Sequence, residues 1–169
     1  MSEVTLITGG QRSGKSSFAQ RLALSLSDRP IYIATSRIWD DEHNMRIVRH
    51  KADRGDKWIN IEEEKFLSNH KFPYGVIVID CVTLWATNFF FDLDSDVEAS
   101  LGALKDEFEK FTSQEAHFIF VSNEIGLGGV SENTIQRKFT DLQGWLNQFI
   151  ANRAEEVFFM ASGIPIKIK

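Results

Sequence analysis

Residues 4–7, 30–35, 74–80 and 116–121 are short apolar runs, the pattern of strands buried on both faces. Residues 57–61 alternate instead, as a short strand at a sheet edge does. Between the runs the period changes. Residues 17–24, 83–91 and 97–111 read as helices, the last with Leu101, Leu104, Phe108 and Phe111 on one stripe. Residues 131–153 predict a long helix facing its core with Ile135, Phe139, Leu142, Leu146 and Phe149. Residues 39–53 are polar apart from Trp39, Met45 and Ile47, and predict a largely exposed helix. Two final runs, 156–161 and 164–168, fold back on each other around Ser162-Gly163 as a C-terminal β-hairpin. Apolar strands alternating with helices define an α/β fold: a mostly parallel sheet flanked by helices. No linker or repeat divides the chain, so residues 1–169 are expected to form a single domain.

Composition narrows the partners. A formal net charge of −5 speaks against nucleic acid, which selects basic surfaces. No apolar run approaches the ~20 residues of a membrane span, and residues 1–3 lead into the first strand with no signal-peptide pattern. Cys81 is the only cysteine, which excludes an intrachain disulfide and fits a cytoplasmic protein. Fourteen phenylalanines are many for this length; a rich core explains them first, a subunit interface second.

The chemistry begins at Gly9-Gly10-Gln11-Arg12-Ser13-Gly14-Lys15-Ser16, a complete G-x-x-x-x-G-K-[ST] motif set between a predicted strand and a predicted helix. Glycines at its ends permit backbone angles and close approach that a Cβ would block. Successive N–H groups and the helix N-terminus then face a polyphosphate. Lys15 is placed to reach the β- and γ-phosphates, and the Ser16 hydroxyl to hold Mg²⁺. The motif predicts a nucleoside-triphosphate site in a P-loop NTPase fold.

Asp80 closes the 76–79 strand at the sheet edge where ligands bind in open α/β folds. With a P-loop present, that acid is the candidate second Mg²⁺ ligand. The segment Asp40-Asp41-Glu42-His43-Asn44-Met45-Arg46-Ile47-Val48-Arg49-His50-Lys51 supports two readings. It is a solvated helix with pairs such as Glu42 and Arg46, or it carries a nucleophilic imidazole flanked by bases that stabilise a transferring phosphoryl group. Spacing alone favours the first and does not choose between His43 and His50. Ser122-Asn123-Glu124 follows another buried strand, where such residues either satisfy a loop or orient substrate. His70 and His117 read as structural.

Together Thr8–Ser16, Tyr32-Ile33-Ala34-Thr35-Ser36, Asp41-Glu42 with Arg46-Ile47 and His50-Lys51, Asp80-Cys81-Val82-Thr83-Leu84-Trp85, Ser122-Asn123-Glu124-Ile125-Gly126 and Ser162-Gly163-Ile164-Pro165-Ile166-Lys167 resemble the bifunctional adenosylcobinamide kinase / adenosylcobinamide-phosphate guanylyltransferase family. The resemblance runs in order over nearly the whole length. It implies a RecA-like P-loop domain that phosphorylates adenosylcobinamide with ATP or GTP. The same enzyme then transfers GMP from GTP to adenosylcobinamide phosphate through a guanylylated histidine. The family's nucleophile is followed by lysine, which selects His50 over His43. The implied catalytic set is His50, Lys15 and Asp80, with Mg²⁺ on Ser16 and Asp80. The implied nucleotide contacts are Gly9, Gly10, Gln11, Arg12, Ser13, Gly14, Lys15 and Ser16, then Ala34, Thr35 and Ser36, Lys51, Ala52, Asp53 and Arg54, Glu62, and Leu84. The implied assembly is a homotrimer. One departure stands out: Ser131 precedes Glu132-Asn133 where the family typically has proline, and it is expected to cap the helix that follows. A plain P-loop small-molecule kinase also explains the P-loop and Asp80, but leaves His50 idle. A regulatory GTP-binding module does not fit, because no Asn-Lys pair occurs.

Overall fold

The computed structural model describes residues 2–37 and 54–169. The expected helix over 39–53 lies outside them, and with it His50, Lys51, Ala52 and Asp53.

Seven strands join one sheet: β1 (Glu3–Gly9), β2 (Ile31–Ala34), β3 (Ile59–Glu62), β4 (Val76–Asp80), β5 (His117–Val121), β6 (Glu156–Ala161) and β7 (Ile164–Lys167). Their spatial order is β3-β2-β4-β5-β1-β6-β7. Every neighbouring pair is parallel except the β6–β7 hairpin. The predicted edge strand, β3, does sit at an edge.

Why the strand runs are apolar throughout is visible in the packing. In β4, Ile77 and Ile79 enter one core while Val78 enters the other; in β5, Phe118 and Phe120 separate from Ile119 and Val121 in the same way. One layer is α1 (Lys15–Leu26), which packs Ala19 and Ala23 against the sheet. The opposite layer combines α2 (Val82–Asp92), α3 (Val97–Thr112) and α4 (Thr134–Arg153). The phenylalanines are mostly core. Phe90, Phe108, Phe111, Phe118 and Phe120 are almost fully buried, and edge-to-face and tilted pairs such as Phe111–Phe118 at 4.9 Å link α3 to the sheet.

Two local expectations change. The long helix begins at Thr134, and its cap is Asn133, whose side chain accepts from Gln136 N–H at 3.1 Å. Ser131 stands two residues too early; its Oγ accepts from Asn133 N–H and bonds the Gln136 side chain, so it orders the cap instead of being it. Ile135, expected in the core stripe, is half exposed, and the stripe closes on Ile150 instead. The Gly126 segment contains a short 3-10 turn over Gly126–Gly128. The hairpin turn is as expected: Ser162 and Gly163 both have positive φ, 51° and 82°, which matches the right-handed twist of its strands.

Candidate nucleotide site

Parallel strands deliver their C-terminal ends to one edge, and the site grows there. The loop after β1 turns through Arg12 at φ 58° and Gly14 at φ 93° before α1 begins at Lys15. A Cβ on Gly9 would lie 2.7 Å from Met160 O and 2.8 Å from Ser13 Oγ, so β6 itself demands glycine there. The hairpin braces the loop from outside, with Gly163 N–H donating to Ser13 O at 2.9 Å.

Lys15 is buried and its ammonium donates to Gly10 O at 2.5 Å. Burial holds its pKa below the ordinary lysine value, although Cys81 and Asp80 act in the other direction. Lys15, the first residue of α1, and Asp80, the last residue of β4, both come to this C-terminal edge, and α1 packs against β4. In the sheet, β5 lies between β4 and β1, the strand that leads into the P-loop. Asp80 shares with Val76 and Val78 the sheet face that α1 covers.

The acid is itself held. Tyr32 Oη donates to Asp80 Oδ2 at 2.6 Å. In the β2–β4 register Tyr32 pairs with Val78 and Ala34 with Asp80, so Tyr32 is the diagonal neighbour of the acid on one face. Burial first and Asp80 second push the tyrosine pKa far up, so the hydroxyl stays a donor. The Arg54 guanidinium lies 3.6 Å over the Tyr32 ring, and Trp58 meets that ring edge-on at 5.8 Å. Burial, with Asp80 next to it, pushes the Cys81 thiol up to about 12; a protonated, buried thiol has no nucleophilic role.

Thr35 is fully buried and every hydrogen-bonding group it has is engaged. Its Oγ1 donates to Cys81 O and accepts from Cys81 N–H, its N–H donates to Asp80 O, and its carbonyl accepts from Asn88 Nδ2. The residue therefore pins the β4–α2 corner that presents Asp80. Ala34, Ser36 and Glu62 stand beside it at the ends of β2 and β3, and Leu84 packs toward the α1 side.

On the other side of Asp80, Asn123 donates twice to Thr83 Oγ1, from N–H at 3.2 Å and Nδ2 at 3.0 Å. Asn147 Nδ2 holds the Asn123 carbonyl at 3.1 Å. Beneath it Ser122, Gln143 and Asn147 bond one another in the core. The Ser122-Asn123 segment is thus anchored from α2 and α4 together. Glu124 is spent on its own loop, accepting from Gly126 N–H. His117 bonds Thr5 and Glu3, and His70 bonds Glu63, both far from this edge in function: they tie strand ends and loops.

Sequence reading assigned no role to the Tyr32 side chain, which it quoted only within a motif, and passed over Asn88, Gln143 and Asn147. A signal existed for the last pair, since Gln143 and Asn147 sit beside Leu142 and Leu146 on a core-facing stripe where a polar residue needs a partner.

The donor set suits Mg²⁺. A carboxylate and a hydroxyl are hard oxygen ligands, and Mg²⁺ in phosphate sites takes one or two such groups with the remaining positions filled by phosphate and water.

A family model described as cobinamide kinase / cobinamide phosphate guanyltransferase matches residues 5–168. The chain belongs to this family. The bifunctional adenosylcobalamin biosynthesis protein CobU of Escherichia coli is 36% identical over 179 residues, covering 97% of the chain and 98% of that protein. Its Pseudomonas aeruginosa counterpart CobP is 38% identical over 173 residues, with 97% and 96% covered. Among solved structures, the flagellar accessory protein FlaH of Methanocaldococcus jannaschii superposes with a TM-score of 0.54 at 14% identity, over 99% of the chain and 78% of that one. An ATPase of a type III secretion system gives 0.58 at 10%, over 98% and 56%. These last two show the fold, a RecA-like P-loop architecture. The cobinamide kinase / guanyltransferase family thus accounts for the P-loop and for the sheet edge built around it.

Proposed function

We propose that the chain is a bifunctional adenosylcobinamide kinase and adenosylcobinamide-phosphate guanylyltransferase of cobalamin biosynthesis, acting in the cytoplasm as a homotrimer of single-domain subunits. The observation that carries the reading is a family match over residues 5–168 on a chain whose P-loop lysine and Asp80 come to one sheet edge. In the kinase step the aminopropanol hydroxyl of adenosylcobinamide attacks the γ-phosphorus of ATP or GTP. The γ-phosphorus–oxygen bond breaks, the nucleoside diphosphate leaves, and the hydroxyl proton passes to solvent. Lys15 and the loop N–H groups hold the triphosphate in line and offset charge that spreads over the transferring group. Ser16 and Asp80 are the oxygen donors that would hold Mg²⁺, which supplies further charge neutralisation on the phosphates when bound.

In the second step an imidazole nitrogen of His50 attacks the α-phosphorus of GTP and pyrophosphate departs. The phosphate of adenosylcobinamide phosphate then attacks the same phosphorus, the P–N bond breaks, and adenosylcobinamide-GDP leaves with the histidine restored. A covalent histidine divides one difficult exchange into two easier ones. Arg54, Lys51, Ala52, Asp53, Glu62, Leu84, Ala34, Thr35 and Ser36 complete the nucleotide contacts in this reading. For Thr35 the contribution is to the shape of the corner, given its engaged side chain.

Intact-protein mass spectrometry after incubation with GTP and Mg²⁺ tests it. The expected result is one acid-labile adduct of the mass of GMP, absent from His50→Ala, which still phosphorylates adenosylcobinamide. Unmodified protein that binds GTP normally would leave only a kinase.

A further inference from the structure

One aromatic side chain touches both halves of this site. Tyr32 Oη holds Asp80 Oδ2 at 2.6 Å, while the face of the same ring carries the Arg54 guanidinium at 3.6 Å. The ring has no freedom of its own. Tyr32 is buried in a strand of the central sheet, with Trp58 packed edge-on against it. Asp80 belongs to β4 and precedes α2. Arg54 follows the segment that contains His50, and its Nε donates to Asn60 of β3 at 2.9 Å. The ring therefore bridges a carboxylate at one end of the site and a cation at the other.

We propose that Tyr32 is a positioning residue joining the kinase and guanylyl-transfer halves of the site: its hydroxyl aims Asp80, and its ring face seats Arg54 against the nucleotide. The proposal rests on the reading of Asp80 as the metal-side carboxylate. Chemically, the two contacts are separable. With Oδ2 engaged by the tyrosine, the carboxylate is fixed in rotation and Oδ1 accepts no protein hydrogen bond among the described residues, which leaves it the donor oxygen. The guanidinium keeps its charge while its flat face rests on the ring and its Nε donates to Asn60, so these contacts fix its plane and position before a nucleotide arrives.

Because the contacts are separable, two variants pull them apart. Tyr32→Phe keeps the ring and deletes only the hydroxyl. Tyr32→Leu deletes both. Binding of a fluorescent GTP analogue is titrated with Mg²⁺, and separately in EDTA, on each purified variant, with thermal unfolding as a check of integrity. Tyr32→Phe is expected to raise the Mg²⁺ concentration for half-maximal enhancement of binding about tenfold, the scale of one hydrogen bond to a charged group. Its affinity in EDTA should match the wild type. Tyr32→Leu should add a loss of affinity in EDTA of about fivefold, in the range of a desolvated cation–π contact. Arg54→Ala should reproduce that loss, and combining it with Tyr32→Leu should cost no more than either alone. Should Tyr32→Leu fail to fold, Tyr32→Phe and Arg54→Ala still carry the two arms. An unchanged Mg²⁺ midpoint in Tyr32→Phe, beside a clear shift in Asp80→Asn, would overturn the positioning role while leaving Asp80 in place. No shift in Asp80→Asn either would remove the metal assignment of Asp80, and the proposal with it. Equal EDTA affinities in wild type and Arg54→Ala would overturn the seating of the guanidinium.

Discussion

At the scale of single residues the site is built at a cost to the fold. Lys15 is an ammonium in a buried place, and burial holds its pKa below the ordinary value. A lysine whose folded pKa is lowered destabilises the folded protein wherever it is protonated, a cost that fades only as pH rises toward 10.5. Bound triphosphate supplies the partner that offsets it. Lys15→Met is therefore expected to raise the melting temperature of the free protein by ~1–3 °C while weakening GTP binding ~10–100-fold. Differential scanning calorimetry and a binding titration on the same sample check both; a lower melting temperature would mean that the bond to Gly10 O outweighs the burial. The P-loop residues were legible from spacing because the motif states its chemistry residue by residue. Tyr32 was not. Inside an apolar run its ring reads as core, which it is, and its hydroxyl acquires meaning only through a register that pairs it diagonally with Asp80. His43 and His50 could not be separated by spacing either, since both fit one helix face; only the resemblance chose.

At the scale of elements, sequence periodicity located nearly every strand and helix, because strands covered on both faces must be apolar throughout. The start of α4 was misplaced by three residues, since Ser131 and Asn133 are both good caps and only the geometry shows which one meets Gln136 N–H. Strand order was outside reach: nothing local says that β5 comes between β1 and β4. The loops after β2 and β3 are fastened to the end of α2 by charge. Arg37 forks onto both oxygens of Asp92 at 3.0 Å and reaches Glu64 at 2.8 Å, while Lys65 bonds Asp92 at 2.9 Å. Hydrogen bonds from Arg37 and Lys65 hold the Asp92 carboxyl well below its ordinary 3.8. A lowered carboxylate pKa stabilises the fold above the unfolded value, and that support drains away as pH falls below it. Asp92→Asn should thus melt ~1–3 °C below the wild type at pH 6–7, a modest figure because the pair is partly exposed. The gap should narrow progressively as pH falls below 3.8. A gap that persists unchanged at pH 2.5 would assign it to packing instead.

At the scale of the whole molecule, the two ends of the chain meet at the phosphate loop. The N-terminal strand leads into it and the C-terminal hairpin braces it, through Gly163 N–H on Ser13 O and Met160 against Gly9. The outer strand of that hairpin is exposed along its length, with Ile164, Ile166 and Ile168 turned to solvent, and elsewhere Leu127 and Val130 are 77% and 87% exposed. An apolar edge strand invites pairing or cover. Pro165 and Lys167 on the same strand oppose open-ended pairing, since proline removes a ladder donor and lysine adds charge, so a closed assembly fits better than a growing one. The homotrimer implied by the resemblance is such a closed assembly. Light scattering coupled to gel filtration should return three times the chain mass of 19.3 kDa, unchanged on tenfold dilution in the micromolar range. A mass of 19.3 kDa over that range would place the complete corrinoid and nucleotide site within one subunit. A trimer that falls apart on dilution, with guanylyl transfer falling in proportion, would place part of the site between subunits.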